Sequence, residues 1–85
     1  MKFKDDNGNI IYCKNNSYNN FNNRGFYKYK NIQYYNGYQI HKEDGPAIKF
    51  TWGSESWYLN GNYYRKEEYQ KIMNLKNKQK VLNEI

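Results

Sequence analysis

At 85 residues the chain has room for one small hydrophobic core and excludes a second domain. Its formal charge of +6 points to acidic partners, either nucleic acid or an acidic protein face, although AT-rich coding alone gives the same bias towards Lys, Asn, Ile and Tyr. The single Cys13 excludes an internal disulfide, and the absence of a long apolar run and the polar start MKFKDDNGN predict a cytoplasmic protein with no membrane association.

Low hydropathy and abundant Asn ordinarily mark disorder. The aromatic content of 20 % argues for a folded chain, because eleven Tyr, four Phe and two Trp bury large area while keeping polar tips in water. Aliphatic residues are sparse, so the core has to be mostly aromatic. Such a core favours completion by a partner or by a homodimer.

In chain order, residues 1–65 read as β-hairpins and residues 66–85 as a C-terminal helix. Three Asn-Gly pairs, Asn7-Gly8, Asn36-Gly37 and Asn60-Gly61, are flanked by β-formers. This dipeptide is the strongest two-residue hairpin signal, since a type I′ turn needs positive φ at both positions. The stretch 14–23 (KNNSYNNFNN) is low in complexity and reads as a loop. Phe26–Tyr35 alternates as one strand, with Tyr27, Tyr29, Asn31, Gln33 and Tyr35 on one side and Phe26, Lys28, Lys30, Ile32 and Tyr34 on the other.

Asp44-Gly45-Pro46 is turn chemistry. Beyond it, Ile48, Phe50 and Trp52 alternate with Ala47, Lys49 and Thr51 up to Gly53-Ser54. A two-residue loop there would set Phe50 opposite Trp57 and Ile48 opposite Leu59. From Lys66 the chain lacks Gly and Pro and is rich in helix formers. Glu67 and Glu68 suit a first helical turn, and Tyr69, Ile72 and Met73 form one apolar face. Val81, Leu82 and Ile85 drift off that stripe, so the second half of the helix is expected to project or meet a partner. The fold expected is mainly β with a C-terminal helix, an antiparallel meander of five or six strands.

Three phrases resemble a MORN-like β-hairpin repeat variant: Tyr34-Tyr35-Asn36-Gly37, His41-Lys42-Glu43-Asp44-Gly45-Pro46-Ala47 and Trp57-Tyr58-Leu59-Asn60-Gly61. The resemblance covers residues 32–73, and Asn22-Asn23-Arg24-Gly25 resembles the corner of a degenerate earlier repeat. Trp52 departs from the pattern where a turn-forming Asp is usual, and Arg65-Lys66 departs where a Ser or Thr cap is usual. Small proteins with these phrases look like those of phages, giant viruses and AT-rich bacteria. Such repeats are binding scaffolds, so the resemblance implies an interaction module of the viral-accessory or host-defence-inhibitor kind, and not an enzyme.

Candidate chemistry is thin. His41, Glu43 and Asp44 are the only acid-base cluster with a histidine, and no second ligand cluster accompanies them. No metal or other cofactor is expected. Arg24, Tyr27, Lys28, Tyr29 and Lys30 interleave aromatics and cations, a pattern that stacks bases and neutralises phosphates, or that reflects ordinary packing. Trp52 is a candidate protein contact, and Lys76, Lys78 and Lys80 give a basic helical tail. These nine residues form the expected partner or nucleic-acid surface. The expected partner is an acidic or RNA-bearing protein of the host nucleic-acid machinery, such as a CRISPR effector. Direct single-strand binding and structural self-assembly are the alternatives.

Overall fold

The computed structural model describes residues 1–15 and 24–83, and side chains in the helix as far as Lys76. It is mainly antiparallel β with one C-terminal helix. Among the described residues, eight short strands replace the expected five or six: β1 (Lys2–Lys4), β2 (Ile10–Lys14), β3 (Phe26–Tyr29), β4 (Ile32–Tyr35), β5 (Tyr38–Ile40), β6 (Ile48–Lys49), β7 (Glu55–Leu59) and β8 (Asn62–Tyr64). Helix α1 spans Lys66–Asn83. Of the loop expected at 14–23, residues 16–23 lie outside the described residues.

The strand order β3-β4-β5-β2-β6-β7-β8 departs from a pure meander, because β2 is inserted between β5 and β6. One edge of β2 carries β1, with Phe3 opposite Ile11. Its other edge is shared: Ile10 and Ile11 pair with β6, and Cys13 and Lys14 pair with β5. At the join, Tyr12 donates its N–H to the Ala47 carbonyl (2.7 Å) and accepts the His41 N–H (3.0 Å). The Asp44-Gly45-Pro46 corner lies outside the sheet between these two anchors.

Turn chemistry explains the extra strands. Phe26–Tyr35 is not one strand but a hairpin, since Lys30 (φ 50°) and Asn31 (φ 65°) form a two-residue turn with both residues left-handed. Tyr27 therefore pairs with Tyr34, and Tyr29 with Ile32, on one face, while Phe26 shares the other with Tyr35. Asn36-Gly37 and Asn60-Gly61 make the expected two-residue turns, with all four φ values positive. Asn7-Gly8 does not, because only Gly8 is left-handed. There Gly8 N–H reaches the Asp5 carbonyl and Asp5 N–H the Asn9 carbonyl, which closes a three-residue loop with a bulge at Gly8.

The β6–β7 hairpin repeats that geometry. Gly53 N–H bonds the Phe50 carbonyl, and Phe50 N–H bonds the Ser54 carbonyl. The longer loop sets Ile48 opposite Ser56, so the expected Phe50–Trp57 and Ile48–Leu59 pairs do not form. Phe50 stacks instead on Trp52, with ring centroids 4.6 Å apart. The two three-residue loops touch, with Thr51 N–H donating to Asn9 Oδ1 at 2.9 Å.

The core gathers Ile11, Cys13, Tyr35, Ile40, Ala47, Ile48 and Tyr58, with Phe3, Tyr38 and Phe50 packed against it. Phe3 sits 5.5 Å from the Tyr35 ring and 5.7 Å from Tyr38, so the β3–β5 half folds over the β1–β2 hairpin. Aromatic and aliphatic residues share this core, so it is less purely aromatic than composition suggests. Gly61 locks the curl. It gives its N–H to Ile40 and accepts the Gln33 N–H, taking the place beside β4 that β5 leaves when it turns to β2. Any Cβ on Gly61 would lie 2.4 Å from Ile32 Cγ2 and 3.0 Å from the Gln33 carbonyl oxygen.

Helix α1 packs on β7 and β8. Its start lacks a Ser or Thr cap, but Arg65 N–H donates to Glu68 Oε1 at 3.3 Å, which supplies half of a capping box. Tyr69 is buried as expected, with Ile72 and Met73 half-buried beside it. The Tyr69 hydroxyl donates to the Lys42 carbonyl at 2.5 Å, tying the helix to the corner. Val81 and Leu82 continue the helical backbone, and their side chains, like Ile85, lie outside the described residues. No helix among the described residues is long and apolar enough to cross a membrane.

Candidate functional site

The β3–β4 hairpin holds the first group of candidates, but on different surfaces. Tyr27 stacks on Tyr34 at 4.9 Å and 12° between planes, and Tyr29, 57 % exposed, lies on the same face. Lys30 occupies the turn, with Nζ 5.5 Å from the Tyr29 ring centroid. Lys28 is exposed on the opposite face, across from Gln33. Arg24 lies at the other end of β3, in an open depression of about 560 Å³ that it lines with Asp5, Asp6 and Phe26. Its charge faces carboxylates there, which sets it apart from the tyrosine face.

Trp52 is 67 % exposed at the tip of the β6–β7 hairpin, braced by Phe50 and remote in topology from β3. Lys76 is exposed on α1. Lys78 and Lys80 continue the helix, and their side chains lie outside the described residues. The structure therefore brings Tyr27, Tyr29 and Lys30 together and separates Lys28, Arg24, Trp52 and Lys76 from them.

Strand register reveals further cations. Lys2 pairs with Tyr12, and Ile10 lies between Lys4 and Lys49. Lys14, Gln39, Tyr34 and Tyr27 follow one another directly across β2, β5, β4 and β3. Alternation puts all of these on the face opposite Phe3, Ile11, Cys13 and Ile40, the outer face of the sheet. Lys42 joins them, with Nζ 3.3 Å from the centroid of the Tyr12 ring. Residues 7–42 contain no Asp or Glu at all. Among the described residues, Lys2, Lys4, Lys14 and Lys49 enter no ion pair, whereas Lys42 lies 3.9 Å from Asp44. Lys14 meets the neutral Asn60 side chain, through Oδ1. Sequence reading passed over these lysines, although KFK and YCK carry the signal: each sets cationic or aromatic residues one position either side of a core residue.

The acid-base cluster is tied into the Asn60-Gly61 turn. His41 Nδ1 accepts the Asn60 N–H at 2.9 Å, and Nε2 lies 3.5 Å from Glu43. Burial, with the Lys14 charge next, holds the imidazole below its ordinary pKa, so both nitrogens serve the neutral ring. Among the described residues no group of His, Cys, Asp and Glu is arranged to hold a metal ion. Cys13 is buried, and burial pushes its thiol up to about 12, far from a reactive thiolate.

The chain matches no protein-family model, and neither a curated protein nor a solved structure matches it.

Proposed function

We propose that the protein is a non-enzymatic binding module, of the viral or mobile-element accessory kind, that binds and inhibits an acidic or RNA-bearing protein of the host nucleic-acid machinery. One observation carries this reading: on one sheet face, to which the acid-free run 7–42 contributes Tyr12, Lys14, Tyr27 and Tyr34, the lysines Lys2, Lys4 and Lys14 enter no ion pair among the described residues and lie beside those tyrosines. Uniform charge speeds encounter with an acidic target, and tyrosines supply contact area at low cost in side-chain entropy. The resemblance to MORN-like repeats supports a scaffold role.

The test is affinity capture of the tagged protein from lysate of its own host, with and without nuclease. A specific partner should be retained and its known activity inhibited, and charge reversal by Lys2→Glu with Lys30→Glu, both exposed, should weaken retention while the circular dichroism spectrum is kept. Undiminished retention would remove those two lysines from the surface. Recovery of no partner under either condition would overturn the reading.

A further inference from the structure

Resting on that reading of the sheet as a binding face, we propose that the outer face itself takes single-stranded nucleic acid, along the row Lys14, Gln39, Tyr34, Tyr27 and the neighbouring Lys2 and Lys4. Three features converge on this ligand. Lys2, Lys4 and Lys14 are paired with no carboxylate among the described residues, so each can meet a phosphate without first breaking an ion pair. Asp5 and Asp6 follow Lys4 at the end of β1 and line the depression beside Arg24, and Glu55 lies opposite Lys49 beyond the row. The aromatics are already ordered: Tyr27 and Tyr34 hold one another in a parallel stack, and Tyr29 stands exposed beside them with Lys30 at its ring.

Bases present their π-faces only when unpaired, and base–aromatic stacking is the main sequence-tolerant contact to single strands. A duplex would need a helix or ribbon projecting into a groove, and this face is a sheet with half-buried rings. An acidic protein surface would use the lysines and the tyrosines as contact area, but unpaired bases meet both the cations and the flat ring faces of this row. Two binding contributions follow. Lysines supply a salt-dependent, sequence-independent attraction, and tyrosines supply a stacking contribution that salt does not screen.

The experiment titrates the full chain into fluorescein-labelled oligo-dT and oligo-U of about 15 nucleotides, a few times the smallest site of a single-strand-binding fold, followed by anisotropy. Affinity should fall at least tenfold between about 50 mM and about 200 mM salt. Lys2→Gln with Lys4→Gln should weaken binding and flatten the salt slope. Tyr29→Ala, at an exposed position that leaves the fold intact, should weaken binding roughly fivefold or more at every salt concentration. The relative affinities of the two oligomers identify RNA or DNA as the preferred source. Equal binding of a matched duplex, or a Tyr29→Ala variant with unchanged affinity, would overturn the proposal in favour of simple polyanion adhesion. If no oligomer binds while a protein partner survives nuclease in the capture experiment, the nucleic-acid inference falls and the binding-module reading stands. If neither binds, both fall.

Discussion

Asn7-Gly8 and Asn60-Gly61 are the same dipeptide folded in two ways. At Asn60-Gly61 both residues are left-handed, and the two-residue turn inserts Gly61 between Gln33 and Ile40. At Asn7-Gly8 only the glycine is left-handed, in a three-residue loop organised from one side by Asp5. Asp5 Oδ1 accepts from the N–H groups of Asn7 (3.0 Å) and Asn9 (2.8 Å), and Oδ2 accepts from the Asn9 amide (3.0 Å). The residue three positions ahead of the glycine, and what the glycine packs against, decide between the two geometries. A dipeptide signal locates a reversal of the chain. Its surroundings set the register.

Alanine substitution should separate the two turns most clearly. Gly61→Ala combines a left-handed Cβ cost of ~1–2 kcal/mol with overpacking of ~1–3 kcal/mol, because Gln33 backbone cannot yield as a side chain can. A loss of about 2–5 kcal/mol in urea denaturation is expected, a large share of the stability of so small a domain. Gly8→Ala should cost less, about 1–2 kcal/mol, since its nearest neighbour is the Thr51 methyl at 3.1 Å, a side-chain atom that can shift. Equal losses at the two sites would show that Gly61 does not lock the curl.

Acid should also tell the turns apart. His41, which anchors Asn60, has its folded pKa lowered, mainly by burial. The unfolded chain therefore takes up the proton first, and stability should be full above the ordinary histidine value of about 6.5 and fall as pH drops below it. His41→Gln should flatten that part of a pH series of thermal melts. Asp5 is also lowered: burial, the largest single influence, raises its pKa, but the hydrogen bonds from Asn9, Asn7 and Gly8 together outweigh it. Its contribution should persist above the ordinary aspartate value and fade only as pH falls through the lower folded value. The Asp5→Ala variant should lose this more acidic step while keeping the one at His41. A smaller effect is expected from Tyr69→Phe, which removes the hydroxyl bond to Lys42 and should cost about 1 kcal/mol without altering either pH step.

What the sequence disclosed follows the same divide between local and distant causes. The β-to-helix change at Lys66, the glycine-bearing two-residue turns and the packed face of Tyr69, Ile72 and Met73 are local patterns, and they were readable. Lys30-Asn31 was hidden because it contains no glycine, and because alternation continues unbroken through a two-residue turn. The β6–β7 register was missed because Phe50 meets Trp52 within its own hairpin and not Trp57 across it. The insertion of β2 beside β5 and β6 is a long-range pairing that no short window contains. The same insertion explains why the outer lysines escaped notice. Their shared face exists only once Lys2, Lys14 and Lys49 are brought together by β2 and its partners.

The shared edge of β2 has a consequence for synthesis on the ribosome. The β1–β2 hairpin can close as soon as residues 1–14 emerge, but the opposite edge of β2 stays bare until Gln39–Ile40 and Ile48–Lys49 arrive. During that interval the row Ile10–Lys14 offers free backbone groups to any neighbouring nascent chain. Lysines at Lys2, Lys4 and Lys14 border the open strand, and their mutual repulsion between chains discourages such pairing. The charges proposed to attract a polyanion in the finished protein would thus guard its central strand while the chain is still incomplete.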